Sequence, residues 1–471
     1  MSNMEHVITE AIGEILRSNQ NELEKEQELF QLMQSVFLEM LENYLKTYDN
    51  SQTTSMRAQG YTEAYQQNRT LSFLLGDFTY SRKVWRTSNG ELVKPVDELL
   101  GEEKYARYSR LTTLTIAKVA CLTPYRSVEK IFQSLCGITV GKDTIAKATH
   151  EVGNLIKEYE VYQLAYAYQE KGTRQVKRLM IEADGVMIPH IKKERGKELL
   201  HILIHEGTAR NGKRTELIKP KEFIGESKKK VKELAMAYLY ETYDLKDTIL
   251  ISNSDNGAGV KETFFQAFAV HAKAHIHVLD EWHFLDMITR NTSYCKEMRS
   301  LIQRAIYKYD RTLLNTVLDT MESLTQGNTQ EKAFSDLKGY LTSNWSYMAS
   351  VEKRLAQLGL DCHKKELGLG SIESTHRKIT FREKKRGMHW GKGGEYIAKI
   401  IVAERQEELE EIFAGQWRKE KEWLERPLAP EGIRQQLKGN QTTDKAYENP
   451  QKIPLKPSAQ NEKQDIQKLL E

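Results

Sequence analysis

Cysteine is scarce in this chain. Its 471 residues include only Cys121, Cys136, Cys295 and Cys362, and no C-x-x-C pair. That excludes a zinc ribbon and a dithiol redox motif. Scattered free thiols suit a reducing cytoplasm, which is the expected location. Long apolar runs are missing too. None reaches the roughly 20 residues that span a bilayer, so no membrane partner is expected. The opening MSNMEHVITEAIGEIL has acidic residues and no basic stretch before an apolar core, unlike a signal peptide. Charge of one sign is not in excess, since 70 basic residues face 66 acidic ones for a net +4. Bulk charge therefore does not announce a nucleic-acid binder, and local clusters must carry that claim. A phosphate loop is also lacking. GITVGK comes nearest, but its spacing is short and Asp143 stands where Ser or Thr would hold magnesium. No nucleotide cofactor is expected.

What is present divides the chain. A length of 471 residues predicts two to four domains. Residues 1–66 read as helical, with ELFQLMQSVFLEMLENYL repeating apolar residues at three- and four-residue spacing. That pattern predicts a packing or oligomerisation helix. Residues 67–101 read as a β-hairpin, in which FTYSRKVW meets ELVKPV across Asn89-Gly90. Tyr80, Arg82, Lys83, Trp85 and Arg86 make this either a solvated hairpin or a DNA-facing ribbon. Residues 102–170 are helical again and contain a helix-turn-helix shape. One helix spans Ser127 to Leu135, Gly137 makes the turn, and a second helix starts near Gly141 to Asp143. Lys142 and Lys147 are the candidate phosphate contacts.

Strand patterns begin after residue 170. Residues 171–290 follow the order β-β-β-α-β-α-β, which predicts a ribonuclease H-like core in a mixed α/β (α+β) chain. Residues 291–366 read as an inserted set of amphipathic helices. Residues 367–426 return to the core with a last acidic motif and a helix. The polar stretch 427–471 has the composition of a disordered tail.

Carboxylates carry the chemistry. In RLMIEADGVMIP, Asp184 interrupts a strand that should be buried. An unpaired buried carboxylate costs several kcal/mol, so a partner is required. Asp255 follows a later strand, in ISNSDNGAG, and Glu373 opens the basic segment GSIESTHRKITFREKKRGMHWGKGG. In a ribonuclease H-like sheet the first and fourth strands are neighbours, which brings Asp184 beside Asp255. Carboxylates that close repel unless a cation separates them. Two Mg²⁺ or Mn²⁺ ions held by Asp184, Asp255 and Glu373 answer the charge and supply phosphodiester chemistry. The structural alternative is a turn at each Asp-Gly or Asx position. Asp280 and His283, in VLDEWHF, read as a shaping element beside the site, as a contact to the DNA, or as a strand-to-helix cap with a core histidine. Glu281 is expected to face away from it. Arg377 is placed to grip a phosphate. Arg382, Lys384, Lys385, Arg386 and Trp390 form a basic, aromatic stripe suited to DNA. Among them Glu383 reads as a local ion pair.

The motifs IEADGVMI, HEGTARNGKRTELIKPKEFIG, SNSDNGAG, VLDEWHF and GSIESTHRKITFREKKRGMHWGKGG, in that order, resemble the ISLre-type family of bacterial insertion-sequence transposases. The likeness spans about residues 70–420. It implies a DDE transposase with Asp184, Asp255 and Glu373 as the metal-binding triad. It also implies end and target DNA as partners, a homo-oligomer on DNA, and a place on the nucleoid in the bacterial cytoplasm. A nuclease or resolvase without strand transfer, or an inactive DNA-binding copy, are the alternatives. One departure stands out: the loop DNGAGVKE lacks the aromatic residue usual after the second aspartate.

Overall fold

The computed structural model describes residues 3–101, 104–191, 193–257, 259–384 and 390–419. The chain forms two compact units, Met1–His150 and Glu151–Glu471. The tail 427–471, together with Lys385 and Arg386, lies outside the described residues.

In the first unit, α1 (Asn3–Arg17) leads to α2 (Glu22–Ala58). Asn21 and Glu24 cap α2 reciprocally, which satisfies two otherwise free backbone donors. Helix was expected to residue 66, but α2 stops at Ala58 and Gly60 turns the chain with φ +79°. Strand β1 (Thr62–Phe73) follows and pairs antiparallel with β2 (Gly76–Arg86). The polar run TEAYQQNRT carries no strand signal of its own. Its conformation is decided by the partner strand, a long-range choice that local pattern cannot show. The Asn89-Gly90 turn makes only the two-residue β3 (Leu92–Val93), and Pro95 opens helix α3 (Pro95–Leu100).

Of the ribbon's basic residues, Arg69, Arg82 and Lys83 are used internally, while Arg86 is exposed. Asp97 of α3 is buried and takes Arg69 at 2.9 Å, Arg82 at 3.0 Å and the Tyr80 hydroxyl at 2.9 Å. Lys83 bonds Asn50 and Thr53, and Trp85 is fully buried. The DNA-facing reading of Tyr80, Arg82 and Trp85 is therefore corrected: burial turned this face toward the unit's own core. Beyond it, α4 (Arg110–Leu122), α5 (Tyr125–Cys136) and α6 (Lys142–Tyr166) enclose Ile116, Val128, Phe132, Ile138 and Ile145. Gly137 joins α5 to the next turn at φ +68°, a left-handed conformation that favours glycine. Lys142 and Lys147 are exposed.

The second unit is built on a mixed sheet. Its strands are β4 (Arg178–His190), β5 (Lys193–His205), β8 (Lys221–Gly225), β9 (Ile249–Ser254) and β10 (Ala274–Leu279). Their spatial order is β10-β9-β4-β5-β8. The pairs β4–β5 and β5–β8 are antiparallel, while β4–β9 and β9–β10 are parallel. Helices α7 (Lys228–Thr242) and α8 (Glu262–Gln266) make the two crossovers. The expected run TELIKPKEFIG splits, because β6 (Thr208–Asn211) and β7 (Arg214–Leu217) form a separate two-stranded ribbon.

Side chains on β4 alternate as a strand requires. Leu179, Ile181 and Ala183 pack toward α7. Met180, Glu182, Asp184, Val186 and Ile188 lie on the other face, where Val186 and Ile188 meet Ile379, Ala398 and Val402. Between β10 and the last helices runs a helical segment with its own core, centred on Ile302, Leu318, Met321, Leu337 and Leu341. It comprises α9 (Glu281–Asn291), α10 (Lys296–Lys308), α11 (Arg311–Leu324) and α12 (Gly327–Asn344). Then come α13 (Val351–Gln357), α14 (Lys364–Leu367), α15 (Ser371–Lys384), α16 (Gly393–Arg405) and α17 (Leu409–Ala414). Among the described residues no helix is long and apolar enough to cross a membrane.

Asp97 faces two buried arginines, so Asp97→Asn should destabilise the protein by about 3–5 kcal/mol, the usual cost of stripping one partner from a buried ion pair. Chemical denaturation of the full chain measures this. An unchanged denaturation midpoint would show that the cluster contributes nothing.

Candidate functional site: an acidic cluster at the strand ends

Strand pairing brings the site together. The β4–β9 register runs from Arg178 opposite Ile249 to Glu182 opposite Asn253. Two residues further, Asp184 comes level with Asp255, just past the end of β9. Strand β10 ends beside them, and the Asp280 backbone N–H donates to the Ser254 carbonyl at 2.8 Å. Helix α15 then lies across β4 on the face that carries Glu182 and Asp184.

Glu182 anchors that helix. It is completely buried, and one carboxylate oxygen accepts the backbone N–H groups of Gly370 at 2.8 Å and Ile372 at 3.4 Å. The other oxygen bonds His205 Nε2 at 3.0 Å. A carboxylate at a helix start meets unsatisfied N–H groups and the positive end of the helix dipole. This fixes the first turn of α15, and with it Glu373.

Asp184, Glu373 and His376 form the compact group, with one potential ligand atom from each lying within 4.8 Å of the others. His376 Nδ1 is 3.4 Å from Asp184 Oδ2 and 3.9 Å from Glu373 Oε2. Burial, reinforced by His201, Lys384 and His283, drives the His376 imidazole down to about 3. The ring is neutral, so these contacts are not ion pairs. Asp184 is pushed up to about 6, chiefly by burial and further by the charges of Asp255 and Glu373, against a hydrogen bond from the Gly185 N–H and the pull of His283. Among the described residues no lysine or arginine forms an ion pair with Asp184 or Glu373.

Asp184 and Asp255 also make the local contacts of the structural alternative. Gly185 N–H donates to Asp184 at 2.7 Å, and Gly257 N–H to Asp255 at 2.8 Å. These bonds aim the carboxylates and leave their other oxygens available. Asp280 caps α9, accepting from His283 N–H at 3.1 Å. A Cβ at Gly370 would sit 3.6 Å from its second oxygen, so Asp280 also borders the start of α15. Glu281 is engaged elsewhere, with Lys364 and with the Tyr307 hydroxyl.

Two expectations for the basic segment are corrected. Arg382 and Trp390 were placed on a DNA-facing stripe, but both are buried, with the guanidinium 4.9 Å from the indole ring centre. Glu383 was read as a surface ion pair. It is fully buried, and burial raises its carboxyl to about 8 against the opposing pull of Arg382 and Lys384. The reason is helical phase: His376, Ile379 and Glu383 recur at three and four residues and form the inward stripe of α15. Arg377 and Lys384 remain exposed.

Sequence reasoning missed several neighbours. Glu182 precedes Asp184 by two residues, so strand alternation places them on one face. His376 follows Glu373 by three, within ESTH, and helical spacing places those together. His201 packs against His376 with ring centres 5.0 Å apart and planes tilted by 34°, and its Nε2 lies 3.0 Å from Glu222, which Arg405 also pairs. No local signal marks that set. Tyr340 belongs here as well. Burial, then the charges of Asp255 and Asp280, raises its phenol. The helical segment thus lends an aromatic ring to a loop that has none of its own. Asn256 ties that loop down through Asn344 at 2.6 Å. A cleft of about 990 Å³ opens beside Glu373, and Arg377, Trp282, Tyr307 and Lys364 are among its walls.

The Asp184 shift has a stability sign. Its folded carboxyl titrates above the ordinary 3.8, at about 6. The folded state therefore holds that proton more tightly, and stability falls as pH rises from about 4 through 6. Without divalent cations, Asp184→Asn should melt higher than the parent at pH 7.5, and the advantage should vanish near pH 4. Calorimetry in chelator at both pH values checks this. A lower melting temperature at pH 7.5 would refute it.

A model of the family described as an uncharacterised protein family (UPF0236) matches residues 18–426. The UPF0236 protein in vanSb 3'region of Streptococcus gallolyticus is 30% identical over 409 residues, covering 86% of this chain and 88% of that protein. Two relatives come from Caldanaerobacter subterraneus subsp. tengcongensis. UPF0236 protein TTE2489 is 22% identical over 348 residues, with 73% and 71% covered. UPF0236 protein TTE0610/TTE0881/TTE1053/TTE2432 is 21% identical over 352 residues, with the same shares.

Proposed function

This chain belongs to the uncharacterised protein family UPF0236, and from that premise and its acidic site we propose a DDE-type DNA transposase that cuts and rejoins DNA at the ends of its own insertion sequence. The observation that carries the reading is the convergence of Asp184, Asp255 and Glu373 where the central strand, its parallel neighbour and α15 meet. The sheet order supports it. Counting its five strands along the chain, they lie 3-2-1-4-5 with only the second antiparallel to the rest. A ribonuclease H-like core is expected to have that order, which is what makes it a support for the reading. The helical segment between β10 and α13 then reads as an insertion of the kind found in ISLre-type transposases. A relative's name that joins four locus tags adds to this, since a sequence encoded at several places in one genome is what a mobile element leaves.

The donor set fits divalent metal. Asp184 is held up near 6 by burial and two like charges, against only the Gly185 N–H and the pull of His283, and no lysine or arginine pairs with it among the described residues. Asp184, Asp255 and Glu373 would hold Mg²⁺ or Mn²⁺, which supplies activation of the attacking oxygen and stabilisation of the leaving one. The protein's own part is placement. Glu182 locks the start of α15, so Glu373 and Arg377 keep a constant position relative to β4. Arg377, one turn beyond Glu373 in the cleft wall, presents a fork suited to a phosphate. Trp282, exposed on the same cleft, offers a face for a base. Water serves as the nucleophile for end cleavage, and the freed 3′-hydroxyl for joining. Lys142 and Lys147 supply phosphate contacts in the first unit.

Asp184→Asn, Asp255→Asn and Glu373→Gln should each abolish Mg²⁺-dependent cleavage of element-end DNA and leave gel-shift binding intact. Glu281→Gln should keep most activity, because its carboxylate is committed to Lys364 and Tyr307. Full cleavage by any of the first three would overturn the triad, and cleavage without joining would favour a nuclease. Replacing Lys142 and Lys147 together by Ala should weaken end binding and flatten its salt dependence by up to about two phosphate contacts. An unchanged salt slope would remove this pair from the interface.

A further inference from the structure

We infer that His376 is a direct nitrogen ligand, beside Asp184 and Glu373, of the divalent cation, and that this site selects Mn²⁺ over Mg²⁺. The inference rests on the reading of the carboxylates as a metal site, and adds an imidazole to what the triad alone supplies. Geometry carries it. Glu373 and His376 stand three residues apart in α15, His376 on the inward stripe and Glu373 beside it at the exposed edge of the cleft. The nitrogen aimed at the carboxylates is Nδ1, 3.4 Å from Asp184 and 3.9 Å from Glu373. Around a six-coordinate ion with bonds of about 2.1 Å, neighbouring ligand atoms lie about 3 Å apart. Closing the observed gaps takes only small side-chain rotations.

The second observation concerns the ring itself. His376 is 5% exposed, and its Nε2 has no hydrogen-bond partner among the described residues. Nε2 is the nitrogen turned away from the carboxylates, so no hydrogen bond there sets the ring's orientation. Internal hydrogen bonding does not hold the ring in place. Packing on His201 does, and His201 is anchored by Glu222, itself paired with Arg405. This buttress holds Nδ1 toward the acidic pair. An imidazole at that position changes the metal's chemistry. Mg²⁺ demands oxygen donors and sheds water reluctantly, whereas imidazole suits the transition ions. A set of two carboxylates and one imidazole therefore favours Mn²⁺ over Mg²⁺, whose preference for an all-oxygen shell is the stricter.

The test loads the full chain with Mn²⁺ alone and reads it by electron paramagnetic resonance. Titration gives the affinity, and competition with Mg²⁺ gives the preference. Spin-echo modulation from ¹⁴N reports a directly bound imidazole in the unaltered protein, so the result does not depend on a variant folding. The expected result is nitrogen modulation in the parent, its loss in His376→Gln, and a narrowed Mn²⁺/Mg²⁺ preference in that variant. Tight Mn²⁺ binding without nitrogen modulation, or modulation that survives His376→Gln, overturns the assignment of His376 and leaves the carboxylates standing. Mn²⁺ binding that is absent, or indifferent to Asp184→Asn, overturns the metal reading and this inference with it.

Discussion

A buried carboxylate, Glu182, holds the second unit's site in register. It accepts the first N–H groups of α15 while His205 bonds its other oxygen. Placing an ion where the sheet is driest is costly unless every lone pair is used. Here the helix start supplies donors and a favourable dipole. Three consequences follow from that one anchor. Helix α15 cannot slide along β4, Glu373 and His376 reach Asp184, and Arg377 faces the cleft. A carboxylate satisfied by a helix start and one crowded by like charges thus sit two residues apart on one strand face, the first building the site and the second equipping it.

Asp184 shows what such a site costs the fold. Its carboxyl is raised by burial and by the nearby charges of Asp255 and Glu373. Like charges gathered without compensating cations oppose folding, and proteins accept this where a ligand relieves it. The neutral His376 does not neutralise them. What surrounds the group is otherwise settled: Asp280 caps a helix, Glu281 has Lys364, and Asn256 pins the loop after β9. The unrelieved charge is concentrated on Asp184 and its two acidic neighbours, which is why the proposed chemistry is sought there.

Much of the framework was legible in the chain because alternation and helical spacing are local properties. The succession of strands and helices from β4 to β10 follows from runs such as KELLHILIH and DTILISNS, apart from the small β6–β7 ribbon. Asp184 is legible as a carboxylate out of place in an apolar strand, Asp255 as one just past a later strand, and Glu373 as the acid opening a basic helical segment; Asp184 and Glu373 approach each other in the structure, and Asp255 comes level with Asp184. Illegible were the partners chosen by distance. TEAYQQNRT became a strand only because β2 lies beside it. Arg82 turned inward to Asp97, and Arg382 folded onto Trp390.

The difference has a physical cause. Periodicity of apolar residues determines which face of a strand or helix is buried, and that the sequence by itself decided: Leu179, Ile181 and Ala183 to one side, Glu182 and Asp184 to the other. Which polar group meets another across tens or hundreds of residues depends on register and helix placement, and these are set by packing of the whole unit. Glu182 meets Gly370, His201 meets His376, and Tyr340 approaches Asp255 only once the sheet and helices have assembled. Local pattern supplied the acids of this protein. Helical spacing set the imidazole beside Glu373, but tertiary structure alone brought it to Asp184 and supplied the aromatic ring and the anchored helix start, because no short-range rule links residues that only a completed core brings within a few ångströms.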